Sequence, residues 1–156
     1  MSNPVTITAE PGTPFIDVIR EFEAPVDAVY RAYVDPDLVS QWLGPRDLSI
    51  RDVEYDVRPG GIWRFVHTDD AGNAFEFYGV FHSVEPDRIT RTFEFGGVPG
   101  HVILESIRFE PAGEGRSRVS THSAFQAVED RDGMLASGME RGQTEGFERL
   151  DELLAG

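Results

Sequence analysis

Between Ile62 and Phe125 the apolar residues recur with a period of two, and short Gly-, Pro- and Asp-rich breaks cut the run into pieces of strand length. The pieces are Ile62 to His67, Phe75 to Val84, Arg88 to Phe95, His101 to Glu110 and Arg116 to Phe125. Asp69-Asp70-Ala71-Gly72, Glu85-Pro86-Asp87, Gly96 to Gly100 and Pro111 to Gly115 separate them. Connections this short leave no room for crossover helices, so the strands form an antiparallel meander.

Residues opposed across an antiparallel pair point to the same face, so folding each hairpin about the middle of its turn tests the pattern. Phe65 then opposes Phe77, Trp63 opposes Gly79, Phe81 opposes Arg91, Phe93 opposes Gly79 and Ile103, Phe95 opposes His101, and Ile107 opposes Val119. All carry odd numbers. The odd face holds Trp63, Phe65, Phe75, Phe77, Phe81, Ile89, Phe93, Phe95, Ile103, Ile107, Phe109, Val119 and Phe125. Arg64, Glu76, Thr90, Thr92, Glu94, Ser106, Arg108, Glu110 and Arg118 fall on the other face, which is wet.

An aromatic wall needs a partner. Asp130 to Leu154 supplies one: on a helix, Leu135, Met139, Leu150 and Leu153 share one side, with Phe147 and Leu154 at its shoulder and Arg141, Glu145, Glu148 and Glu152 opposite. The spacing predicts one amphipathic helix of about 22 residues, about 33 Å long, capped by Asp130 or Asp132. Gly138, Gly142 and Gly146 recur along it, the last two in the apolar stripe. Each costs about 0.5 to 1 kcal/mol of helix stability, which close approach of the backbone to the sheet or space left for a ligand would explain.

Ahead of the meander, 1–14 reads as a loose lead-in, with Pro4, Pro11, Gly12 and Pro14. Phe15 to Phe22 is the first strand, an uncovered edge suited to pairing with a second copy across a two-fold axis. Val26, Val29, Tyr30 and Tyr33 mark a short helix behind Pro25; Asp35-Pro36 starts another, with Leu38, Val39 and Trp42 inward. Leu48 and Ile50 differ in parity from Val53, Tyr55 and Val57, which predicts a bulge near Arg51-Asp52. The fold class is therefore α+β: a curved antiparallel sheet of about six to seven strands around a long C-terminal helix, one domain over 15–156.

Polar residues interrupt the odd face at His67, Arg91, His101 and Glu105, with Thr121 and Ser123 beside them. The register sets Arg91 opposite Glu105, with Thr121 facing Glu105 from the other side, and predicts a cross-strand ion pair, because buried charge needs a partner. That pair is either structural or the polar anchor of an apolar cavity. His101 with Glu105 has the geometry for acid–base chemistry but no further signature.

Several function classes are excluded. A net charge of −14 repels nucleic acid. All 14 basic residues are Arg, which leaves no lysine for a Schiff base, and the absence of Cys removes thiolate chemistry and disulfides. The four His residues lie on separate strands without metal-ligand spacing, and no nucleophile elbow, P-loop or dinucleotide fingerprint occurs, so no metal or cofactor is expected. No apolar run approaches the about 20 residues of a membrane span and no signal-peptide pattern opens the chain, so the expected location is cytoplasmic.

The runs Phe22-Glu23-Ala24-Pro25-Val26-Asp27-Ala28-Val29-Tyr30-Arg31-Ala32, Asp35-Pro36-Asp37-Leu38-Val39-Ser40-Gln41-Trp42-Leu43-Gly44-Pro45, Arg58-Pro59-Gly60-Gly61 and Glu129-Asp130-Arg131-Asp132-Gly133-Met134-Leu135-Ala136-Ser137-Gly138-Met139-Glu140 carry a family resemblance. Together they resemble the activator-of-heat-shock-protein-90-ATPase homologue family, within the START-like, or SRPBCC, helix-grip superfamily. The resemblance implies a deep hydrophobic cavity between sheet and final helix. It also implies a choice among roles: binding of small apolar or amphipathic molecules, interaction with a chaperone or other protein, or cyclase- or hydrolase-like catalysis in the cavity. Expected lining residues are Trp63, Phe65, Phe77, Phe81, Phe93, Phe95, Ile103, Met139, Gly142 and Gly146, with polar contacts from His67, Arg91, His101, Glu105 and Thr121.

Overall fold

The computed structural model describes residues 3–156. Eight antiparallel strands form one curved sheet in the order β1-β2-β8-β7-β6-β5-β4-β3. They are β1 (Val5–Thr8), β2 (Phe15–Phe22), β3 (Ser49–Tyr55), β4 (Ile62–Thr68), β5 (Ala74–Glu85), β6 (Arg88–Phe95), β7 (Val102–Pro111) and β8 (Ser117–Ala124). Helices α1 (Val26–Val34) and α2 (Pro36–Trp42) follow β2; α3 (Val128–Ala136) and α4 (Met139–Ala155) close the chain.

The meander from β4 to β8 is connected as its periodicity requires. Trp63 pairs with Gly79, Phe65 with Phe77, Phe81 with Arg91, Arg91 with Glu105 and Phe93 with Ile103. Trp63, Phe65, Phe81, Ile89, Ile103, Ile107, Phe109, Val119 and Phe125 are all buried, on the face that the helices cover. The bulge in β3 lies where the parity switch puts it: the register slips between Arg51 and Glu54, and Asp52 has φ 55°. A second bulge, between Phe81 and Ser83, carries no sequence signal and brings Val84 opposite Ile89.

Several expectations are corrected. The sheet has eight strands rather than six or seven, because the lead-in contains β1, whose Val5 pairs with Arg20 and Thr8 with Asp17. β2 is consequently an inner strand, and β1 and β3 are the edges. The β7–β8 register is two residues from the one expected: Phe109, not Ile107, pairs with Val119, and Ser123, not Thr121, opposes Glu105. The turn is centred further along than its composition suggests, between Gly113 (φ 112°) and Gly115 (φ 71°), and a slip of two preserves the face of every side chain.

The terminal segment is two helices. Gly138 adopts φ 87°, a left-handed conformation that ends one helix and caps the next, and Ser137 turns its hydroxyl back onto the Met134 carbonyl at 2.6 Å. Neither Asp130 nor Asp132 caps α3, which begins after Ala127 without a side-chain cap. The break also rotates Leu135 out of the apolar stripe, leaving it exposed.

α4 keeps its inward face from Met139 onward. Phe147 meets Phe22 edge-to-face at 5.6 Å, Leu150 is fully buried, and Asp151 receives two hydrogen bonds from Arg20, from Nη1 at 2.7 Å and Nη2 at 2.5 Å. Arg20 occupies an inward position of β2 among Ile16, Val18 and Phe22, is 1% exposed, and lies 4.8 Å from the Phe22 ring centroid. A guanidinium this deep is tolerated because its charge is met bidentately. Asp151→Ala should therefore cost about 3 kcal/mol in urea denaturation, whereas Arg20→Met with Asp151→Leu should recover most of that loss. A single variant within about 0.5 kcal/mol of wild type would contradict this role for the pair.

Candidate functional site

Between the concave face of the sheet and the amino-terminal half of α4 lies a cavity of about 510 Å³. Phe65, Phe77, Phe93, Ile103 and Phe125 form its sheet wall, continued by Ile16 and Val18 from β2. Trp42, Leu43, Gly44 and Pro45 from the α2–β3 connection, and Met134, Met139, Gly142 and Gly146 from the terminal helices, complete the lining, with the two glycines beside that connection. This volume falls within the ordinary range for small-molecule sites, and the wall is mostly apolar with few polar groups, as such sites are built.

The glycines of α4 are accounted for by close approach of the helix backbone, to a loop rather than to the sheet. A side chain on Gly146 would come within 3.4 Å of the Gly44 nitrogen and the Trp42 carbonyl oxygen, so the helix approaches the α2–β3 loop rather than the sheet. Gly142 faces Pro45 at 3.7 Å by the same measure. Both also border the cavity.

Of the residues singled out in the sequence, Phe65, His67, Phe77, Phe93, Ile103, Glu105, Thr121, Met139, Gly142 and Gly146 surround this cavity. Trp63 and Phe81 lie deeper, fully buried in the core, and Phe95 stacks on Phe77 at 5.1 Å without lining the space. His101 is displaced altogether. It sits in the turn after β6, beyond Gly100 (φ 92°), with an exposed ring whose Nδ1 is 2.9 Å from Asp130 Oδ1. Parity assigns a face only within a strand, and β7 begins at Val102, so the acid–base pair of His101 with Glu105 does not form.

Arg91 and Glu105 pair as the register requires, Nε donating to Oε1 at 3.0 Å, and both are nearly buried. Arg91 lies under the cavity floor rather than on it. Its Nη1 donates to the Tyr55 hydroxyl at 3.2 Å, its guanidinium covers the Trp63 ring at 4.5 Å, and Tyr55 donates onward to the Tyr33 carbonyl at 3.0 Å. Burial opposes the charge on Arg91, but Tyr55 and Glu105 more than compensate and hold its pKa above the ordinary value. Ser123 and Thr121 bring hydroxyls to the floor beside Glu105, Ser123 directly across the β7–β8 ladder from it.

His67 is the deepest polar residue of the wall. Its ring packs at 5.0 Å from Phe65 and lies under Gly44, where a Cβ would come within 2.4 Å of Cε1; Gly44, at φ 91°, is thus required for both its space and its conformation. His67 Nε2 is buried with no hydrogen-bond partner among the described residues. Arg149 stands close by and directs its guanidinium to the carbonyls of Gln41 and Gly44, at 3.0 and 3.3 Å. Burial, and secondarily Arg149, push the His67 pKa down to about 4.

This arrangement, with a broken terminal helix over an aromatic concave sheet, is a helix grip. A family model described as Activator of Hsp90 ATPase homolog 1-like protein matches residues 23–155. The chain belongs to that family. Solved structures of the same fold include a protein from Rhodobacter sphaeroides, 24% identical over 97% of this chain and 99% of that one, with a TM-score of 0.89. A Nitrosomonas europaea protein is 28% identical, covering 90% of this chain and 94% of its own, at a TM-score of 0.80. An AHSA1 protein from Silicibacter pomeroyi is 22% identical, covering 90% and 97%, at 0.75. No curated protein matches the chain. Membership of the activator-homolog family accounts for the helix-grip architecture, and among the described residues no helix is long and apolar enough to cross a membrane.

His67 makes the stability of this family member depend on pH in a defined direction. Its folded pKa, about 4, lies below the ordinary histidine value of 6.5, so the unfolded chain takes up the proton first as pH falls. Stability is therefore full above pH about 6.5 and is lost progressively toward pH about 4, by about 3 kcal/mol in all. His67→Gln should flatten this part of the denaturation profile; wild-type and variant profiles with equal slopes would contradict the assignment.

Proposed function

We propose that this chain binds a small apolar or amphipathic molecule in the cavity between the sheet and α4. The observation that carries this reading is the cavity itself: about 510 Å³ bounded by aromatic and aliphatic side chains of the sheet, with Gly142 and Gly146 bordering it from α4. Protein interiors are ordinarily close-packed, so an apolar space of this size is not what a purely structural core requires. The few polar groups on the wall, His67, Glu105, Thr121 and Ser123, would orient a ligand by its polar end.

A second reading, interaction with a chaperone, draws on the family description, which names an activator of the Hsp90 ATPase. Catalysis in the cavity has less support, since His101 is separated from Glu105.

A thermal-shift screen across alkyl alcohols, amines, fatty acids, aromatic polyketides and steroids tests the binding reading. A ligand at about 100 times its Kd stabilises by about 2.7 kcal/mol, which for a chain of this size raises Tm by roughly 5 to 10 °C. Thr121→Phe, which fills the floor, should abolish the shift while the free protein still melts cooperatively. No shift with any class at saturation would contradict the proposal.

A further inference from the structure

We propose that the cavity selects an amphiphile whose polar head donates hydrogen bonds and carries no negative charge, a primary ammonium binding tightest and an alcohol next, with the head against Glu105. This rests on the binding reading above and specifies the chemistry of its ligand.

The residue that would ordinarily attract an anion is unavailable. Arg91 is committed beneath the floor to Glu105, the Tyr55 hydroxyl and the face of Trp63, and it does not border the cavity. Turning it toward an incoming anion would strand Glu105 without a partner in a nearly dry site, a strongly unfavourable exchange. Glu105 does border the cavity, and Arg91 engages only its Oε1, so Oε2 is the acceptor offered to a ligand. The hydroxyl of Ser123, across the ladder, can complete the contact.

Nearer the mouth the carboxylates outnumber the free cations. Asp47 and Asp69 border the cavity, and among the described residues the one cationic residue lining it, Arg141, is already bound to Asp47 at 2.7 Å and to Glu145 at 3.0 Å, while Arg149, behind His67, is turned to the carbonyls of Gln41 and Gly44. A carboxylate head would thus enter a space bounded by three carboxylates, whereas an ammonium would replace its water shell with Glu105 and the neighbouring hydroxyl. The chain's net charge of −14 favours approach of a cation over the whole surface, so the test must separate the floor from that general attraction.

Decylamine, decanol and decanoate share one apolar body and differ only in the head. Titrated calorimetrically below their micellar concentrations, near neutral pH and in about 0.5 M salt to screen surface charge, they should bind in the order amine, alcohol, carboxylate. The amine should exceed the carboxylate by about tenfold or more, the effect of one hydrogen bond to a charged group. Replacing both members of the pair, Arg91→Leu with Glu105→Leu, keeps the floor packed and should bring the three affinities within about threefold of one another. Decanoate binding as tightly as decylamine, or an amine preference that disappears in salt or survives in the double variant, would overturn the assignment of Glu105 while leaving the cavity a binding site. If none of the three binds, this inference falls, and the binding reading falls with it only when the polyketides and steroids of the thermal-shift screen also give no shift.

Discussion

The position of α4 is set by a single buried charge pair in its carboxyl half and by a missing side chain at its middle. Near its carboxyl end, Asp151 receives both terminal nitrogens of Arg20 from an inward position of β2, with Phe147 and Leu150 packed beside it. Midway along it, Gly146 lies against the backbone of Trp42 and Gly44, so that part of the helix rests on the α2–β3 loop instead of the concave wall. The helix is thus drawn onto β2 in its carboxyl half and braced against a loop at its middle. The cavity borders the remaining half, from Met139 to Gly146.

The same economy governs the polar groups inside. The buried arginines reach partners across the fold: Arg20 to Asp151, Arg91 to Glu105 and Tyr55, and Arg131, whose charge is met by its neighbour Asp132, to the Glu10 carbonyl. Because burying an unpaired ion costs several kcal/mol, these contacts fix which strand, turn or helix lies over which. His67 reaches the same end by another route, since its depressed pKa keeps it neutral under Gly44 at ordinary pH. The outer face carries its ion pairs in water, as between Arg118 and Glu21, where they contribute little to stability.

How far the sequence could be read follows from what kind of information each feature needs. Side-chain alternation is local and survives a register slip of two, so the faces of Phe65, Phe93 and Ile103 were legible in the sequence; the Arg91–Glu105 pairing needs the register itself and was legible because the β6–β7 turn is centred where its composition puts it. The parity switch at Arg51–Asp52 was legible for the same reason. His101 was misplaced because alternation was extended one residue past the start of β7. The helix break at Gly138 was hidden by apolar spacing that continues across it, and the strand in the lead-in is only four residues long. Arg20 could not be identified at all: its partner is 131 positions away, and nothing in a lone arginine on a strand announces a buried pair.

The central claim is that the inner face of the sheet, under α4, is where an apolar molecule resides. Intermolecular NOEs from bound decanol to methyl groups of the protein test it most directly. Contacts confined to Ile16, Val18, Ile103 and Met139, which border the cavity, are the expected result. Contacts instead to Ile62, Val80 and Leu104, which are exposed away from it, would contradict the account.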